Sequence, residues 1–280
     1  MQFSDLDDNL KELVSIVDEY YTFLTTFYIP ASALKRPPPG GWPNITNKNT
    51  AGFGKSQCVI DLLKFLPYID DTDAHQMITN IHYKCDVVDY STITPEGFSG
   101  KRIHYGEMGI QYVADQQEEE RKQEEAAKAA GDATDDGPED SDSDSDAESC
   151  FDPDILRMEN MFALAKGYES GGRSLVLDVV NGTIHEDVIR CNQIDPVDAR
   201  EFFEGLRRQF ETLEMVPVMG ELYENVSEVG DDEDIEEGGV DKVFKRIYRQ
   251  HGWPGTGYRK EEALEAVERE RERLEEAGML

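Results

Sequence analysis

Basic residues are scarce in this chain: 28 Lys and Arg stand against 60 Asp and Glu, a formal net charge of −32 over 280 residues. Acidity on that scale repels a phosphate backbone, so no nucleic-acid partner is expected without a local basic patch. The two basic clusters, Lys242–Lys245–Arg246–Arg249 and Arg207–Arg208, fall on expected helices beside acids and read as solvated faces. Long apolar runs are missing as well. None approaches the ~20 residues of a membrane helix, so no membrane partner is expected. The opening MQFSDLDDNLKELV has neither a basic start nor an unbroken apolar stretch, so no signal peptide is expected.

Cysteine and histidine are few and scattered. Cys58, Cys85, Cys150 and Cys191 contain no CxxC pair, which fits neither a zinc site nor a redox motif. Free thiols in a reducing compartment, cytoplasm or nucleus, are expected. His75, His82, His104, His185 and His251 show no HxH or HExxH spacing, so neither a metal nor a cofactor is expected. No serine sits in a G-x-S-x-G elbow and no cysteine has a recognisable catalytic context. A carboxylate pair would not stand out among 60 acids. The reading leans away from an enzyme and leaves catalytic residues unassigned.

Two glycine-rich stretches are tested for phosphate chemistry and set aside. Gly52-Phe53-Gly54-Lys55-Ser56 has Asn49 where a phosphate-binding loop requires its first glycine. Ser170-Gly171-Gly172-Arg173 lies between two expected strands, with no helix N-terminus to hold an anion. His185 and Asp187 would share one face of a strand while Glu186 takes the other. A surface strand carrying polar groups is favoured over a site there.

What the chain has in excess is acid, and it is unevenly placed. Residues 115–149 hold fifteen acids against three bases, and 228–237 hold seven acids and no base. The expected architecture is α+β: an antiparallel sheet with a central three-stranded meander, packed against N-terminal and C-terminal helices and interrupted by a disordered acidic insertion. In numbers, 1–114 is the first part of one domain and 115–152 the disordered Ser/Asp/Glu-rich insertion, with any helix over 116–130 expected to be solvated for want of an apolar stripe. The rest of the core is 153–227, then an acidic loop at 228–239 and C-terminal helices at 240–280. Gly131 to Ser149 has almost no apolar residue with which to offset its ordering entropy, and is expected to be disordered.

Periodicity places the elements. Leu6, Leu10, Leu13, Val14, Val17, Tyr20, Tyr21 and Leu24 predict an amphipathic helix, with Ser4 and Asp7 as a capping start. Residues 55–66 predict a second helix ended by Pro67, and a short helix or turn is expected near 74–81. Strands are expected at 85–90, 101–105 and 110–113. Strands at 161–168, 173–180 and 183–189 form the meander, with Asn181-Gly182 as its hairpin signal. Asp195-Pro196 marks a helix entry with Pro196 at the first position. That helix runs to Leu213, and 215–218 is extended. Helices at 240–251 and 259–277 close the chain. The flanks of the insertion are expected to share one sheet, since neither has strands enough to cover a core alone.

Three features bear on partners. Pro37-Pro38-Pro39 favours an extended polyproline conformation, either a docking ligand or a rigid connector that plugs Trp42 into the core. The connector is favoured. Ser141, Ser143, Ser145 and Ser149 each have an acid three residues on, the spacing preferred by acidophilic kinases of the casein-kinase class. These four are candidate phosphorylation sites, each adding about −1.5 to −2 of charge, and the equal alternative is a passive solubilising spacer. Trp42, Arg173, Asp178, His185 and Trp253 form the candidate partner surface.

RPPPGGWPNIT with its following LLKFLPYI, ALAKGYESGGRSLVLDVVNGTI, and IYRQHGWPGTGYRKEEALEAV together resemble a group of uncharacterised filamentous-fungal proteins. The central hairpin, with Leu177-Asp178 before the Asn-Gly turn, is similar to the SUKH superfamily of cell-wall-synthesis regulators and toxin-immunity proteins. That resemblance implies a bent antiparallel sheet and a protein-binding role, and it supplies no catalytic residues. The expected function is a non-enzymatic protein-interaction or regulatory module of this type, with the insertion as charge modulator. The alternatives are an acidic-tract binder of basic proteins, histone-chaperone-like, and an enzyme of unrecognised class.

Overall fold

A computed structural model describes residues 2–70, 79–131, 156–189, 195–218, 221–224 and 240–280. Of the insertion expected to be disordered at 115–152, residues 115–131 are helical, a correction that their Glu-, Lys- and Ala-rich helix propensity explains, and 132–152 fall outside the described residues. So do Cys150, Cys191, the four candidate phosphoserines, most of the 74–81 segment and the 228–239 loop.

Helix α1, Asp8–Phe27, buries Leu10, Leu13, Val17, Tyr20, Tyr21, Leu24 and Phe27 on one face, as the spacing requires. Asp7 itself is the cap, accepting from the Asn9 N–H at 2.9 Å, because Phe3–Asp5 forms a separate 3-10 turn. The chain then gives β1, Leu34–Lys35, and the proline-rich connector. Trp42 is half-buried there, its indole N–H donating to the Leu66 carbonyl at 2.8 Å and its ring against Tyr68. Helix α2, Gln57–Leu63, is followed by β2, Tyr68–Ile69, which pairs with β1.

After β3, Cys85–Val87, come α3, Pro95–Phe98, a 3-10 segment at Lys101–Glu107 and the long helix α4, Met108–Gly131. This corrects the two strands expected at 101–105 and 110–113. The inward residues Ile103, Gly106, Glu107 and Ile110 recur at three- and four-residue steps, a helical period. Gly106 lies against Ala163, where a Cβ would come within 2.7 Å of that side chain.

Beyond the insertion run β4, Met161–Gly167, β5, Arg173–Asp178, β6, Thr183–Val188, and β7, Val197–Asp198. Among the described residues, five strands form one antiparallel sheet in the order β3-β4-β5-β6-β7. The meander stands as expected, and β3 beside β4 joins the two flanks of the insertion in that sheet. The β5–β6 connection is a four-residue loop, longer than a two-residue Asn-Gly turn. Asp178 caps it, accepting from the Val180 and Asn181 N–H groups at 2.9 and 3.0 Å. Phe162, Leu164, Leu175, Leu177 and Ile184 join the main core. Met161, Ala163 and Val176 face the other way and pack with Ile110 of α4. Burial on both faces explains the near-continuous apolar run of β5.

Pro196 does not open a helix. Val197–Asp198 pairs with β6, and Asp198 caps α5, Ala199–Thr212, through the Arg200 and Glu201 N–H groups. β8, Met215–Val218, pairs with β9, Glu221–Glu224, a strand the sequence reading lacked. Helices α6, Val240–Gln250, and α7, Lys260–Glu276, complete the chain. Among the described residues no helix is long and apolar enough to cross a membrane.

The C-terminal helices are clamped to the ends of earlier ones. Lys260 Nζ donates to the Thr25 and Ile29 carbonyls at 2.7 and 2.6 Å, and Arg249 to the Thr212 carbonyl at 3.0 Å. Cations at helix C-termini satisfy orphan carbonyls and suit the helix dipole. Trp253 stacks on Phe27 with ring centroids 3.8 Å apart, and its indole N–H donates to the Phe210 carbonyl at 2.9 Å. Trp253→Ala should therefore lower unfolding stability by about 3–5 kcal/mol, read from urea denaturation.

Candidate interaction surface

The residues expected to form a partner surface do not gather on one. Trp253 and Trp42 are packed as described. Asp178 and His185 are 4% and 3% exposed, inside the face of the sheet that meets α4. Burial draws His185 below the usual imidazole range, with the Asp178 charge opposing. Asp178 is spent on its turn. Polar identity suggested a surface for these residues, whereas hydrogen bonding to their own fold lets them be buried.

Arg173 is largely buried between two acids, with Nη1 at 3.2 Å from Glu186 Oε1 and Nη2 at 3.1 Å from Glu224 Oε2. Its Nε is buried with no hydrogen-bond partner. His82 joins this network. Its Nδ1 accepts from the Tyr83 N–H at 2.6 Å, so the hydrogen sits on Nε2, 3.3 Å from Glu186 Oε1. Burial pushes Glu186 up, but the His82 hydrogen bond and the Arg173 charge outweigh it, leaving the carboxyl below its ordinary 4.5. As expected, Glu186 takes one face of β6 while His185 and Asp187 share the other. Asp187 is raised by burial and lies against α4, where a Cβ on Gly109 would fall 2.1 Å from its Oδ2.

The loop read for phosphate chemistry does something else. Lys55 Nζ donates to Glu107 Oε2 at 2.7 Å and to the Met158 carbonyl at 2.8 Å, with both charged side chains only 3% exposed. Burial pulls the Lys55 ammonium below its usual range, and the Glu107 charge and hydrogen bond act against that. His104 Nδ1 lies 3.1 Å from the same carboxylate oxygen, and Phe53 stacks on the imidazole. Glu107 Oε1 has no hydrogen-bond partner. The lysine faces the interior and anchors the 3-10 segment. Nothing about it is poised for an anion.

That anchor fixes what the other side presents. With Ile103, Gly106, Glu107 and Ile110 turned inward, Tyr105, Met108 and Tyr112 are 51%, 63% and 66% exposed. Steps of three and four set them along one outward stripe. Beyond the stripe α4 is solvated and acidic, with Asp115, Glu118, Glu119, Glu120, Glu124 and Glu125 against Arg121 and Lys122. Reading 101–105 and 110–113 as strands hid this surface. The signal was present as two interleaved helical stripes, one apolar and inward, the other aromatic and outward. Among the described residues no group of three or more His, Cys, Asp or Glu is placed to hold a metal ion.

Comparison with protein-family models, with curated proteins and with solved structures finds no match for this chain.

Two outcomes follow from these networks. Glu107→Gln leaves Lys55 buried against a neutral partner and should destabilise the fold by about 3–5 kcal/mol in denaturant titrations, with Lys55→Met added to it recovering part of the loss. Glu186 has a lowered folded pKa, so its contribution is present above 4.5 and is lost as pH falls through the folded value. Glu186→Gln should flatten the fall in melting temperature below that pH relative to the native chain.

Proposed function

We propose that this chain is a non-enzymatic protein-interaction module of the cytoplasm or nucleus, with the outer face of the 3-10 segment and α4 as its contact surface. One observation carries the reading: Tyr105, Met108 and Tyr112, large and exposed, lie in register on an element held from behind by a buried ion pair. Three i, i+3, i+7 anchors on a rigid helix are how a helix face meets a partner's groove. Aromatic and methionine side chains are enriched in the centres of such contacts. The SUKH-like regulatory type is supported by the antiparallel sheet and by the β5–β6 hairpin carrying Leu177-Asp178 and Asn181-Gly182.

The acidic insertion acts as a charge modulator in this reading. Acidophilic phosphorylation of Ser141, Ser143, Ser145 and Ser149 would deepen its charge. Among the described residues, the grooves beside α4 and α1 are lined by neither His185 nor Asp187.

The test is a photo-crosslinker placed at Met108 in the native chain and, in parallel, affinity purification of a Tyr105→Ser/Met108→Ser/Tyr112→Ser chain. All three positions face solvent, so the triple variant should melt within a few degrees of the native protein. It should lose the proteins that crosslink at 108. Retention of the same partners by the variant would sink the proposal.

A further inference from the structure

The groove on the other flank of α4 carries a more specific reading. It lies between α4 and residues 156–159 and encloses about 610 Å³. Its apolar part is Ala114 with Leu156 and Met158. Asp115, Glu118, Glu124 and Glu159 stand around these, with Arg121 as the one base among the lining residues. The walls are fixed in two ways. The Leu156 N–H donates to Gln117 Oε1 at 3.3 Å, and the Met158 carbonyl is held by Lys55. Asp115 is engaged by Gln111 and Glu118 by Lys122, but among the described residues neither Glu124 nor Glu159 is in an ion pair.

We propose that this groove seats a cationic amphipathic segment of a partner protein. An apolar side chain would cover Ala114, Leu156 and Met158, and Lys or Arg on either side would face Glu118, Glu124 and Glu159. Charge complementarity selects this occupant. A second copy of a chain carrying −32 is repelled, and so are nucleic acid and anionic lipid. The methionine thioether is soft enough to accept different apolar side chains. The proposal rests on the interaction reading above and names the chemistry of the partner.

Any polycation is drawn to a chain this acidic, so the apolar floor must be tested apart from the charge. Two labelled synthetic peptides of equal charge serve, one alternating Lys with Leu and one in which Ser replaces every Leu. Fluorescence anisotropy is read on the full chain at 0.15 M salt, where long-range attraction is largely screened. The amphipathic peptide should bind at least about tenfold tighter than its serine counterpart. Glu118→Gln/Glu124→Gln/Glu159→Gln should weaken it by about tenfold, and Ala114→Lys should weaken it at least as much. Exchanging the nine acids between 132 and 148 for Asn and Gln should leave the preference for the amphipathic peptide intact. Equal binding of the two peptides would overturn the proposal. Loss of binding in the exchanged chain, with groove variants unaffected, would overturn it too and favour the acidic tract acting as a polyanion. The Tyr105→Ser/Met108→Ser/Tyr112→Ser chain should bind the peptide as the native chain does, so failure of the stripe and failure of the groove read out separately.

Discussion

The pairing of β3 with β4 is the constraint on which the rest of the structure depends. Cys85, Asp86 and Val87 lie opposite Gly167, Lys166 and Ala165, and the Val88 N–H continues the ladder to the Leu164 carbonyl at 3.0 Å. Tyr90 then donates its hydroxyl to the Ala163 carbonyl at 2.9 Å, at the bulge where β4 shifts register against β5. These few bonds join the part of the core that precedes the acidic insertion to the part that follows it. The cost of closing the intervening chain rises only slowly with length, by about 0.6 kcal/mol per doubling. A long charged excursion is thus compatible with one sheet, provided the strands at its root stay locked.

With that sheet in place, both of its faces must be covered, and they are covered unequally. The face of Phe162, Leu175 and Leu177 enters the main core with α1 and α5. Trp253 and Phe27 extend this core to the C-terminal helices. Among the described residues, the opposite face has Ile110 and a few apolar neighbours over Met161, Ala163 and Val176. So thin a layer gives α4 little hydrophobic reason to stay. The Lys55–Glu107 pair and the absence of side chains at Gly106 and Gly109 supply what packing alone does not. A buried ion pair is a poor source of net stability but a strong specifier of position, because either partner alone is costly to bury.

Legibility in the sequence followed the range of the interaction involved. The apolar faces of α1, α5 and α7 and the meander were readable, since their signals lie within one element or one turn. The Asn-Gly pair located the hairpin, although Asp178 lengthened its loop. The 101–113 segment was misread because its Ile, Tyr and Val content suits a strand in a short window, and only the step between buried positions separates the two. Arg173 is half-buried against Glu186 and Glu224, and Lys55 is packed against Glu107 and Met158. Those partners are distant in sequence, so nothing local marked these charges as interior. The same blindness placed Asp178, His185 and Trp253 on a surface and left the exposed stripe of α4 unseen.

The stripe and the charge around it act on each other. Three exposed apolar side chains in register invite self-association, and a neutral protein carrying them would tend to pair through that patch. Here the same helix continues into six acids and two bases within residues 115–125, on a chain already strongly negative. Two copies approaching stripe to stripe would bring those carboxylates together, and the repulsion falls off only over a screening length of about 8 Å at physiological salt. A partner whose groove is rimmed by basic residues meets no such barrier, and its encounter is accelerated by the same field. In the proposed reading, acidity on α4 would therefore filter which surfaces reach these apolar side chains, disfavouring the chain's own copies and favouring cationic ones.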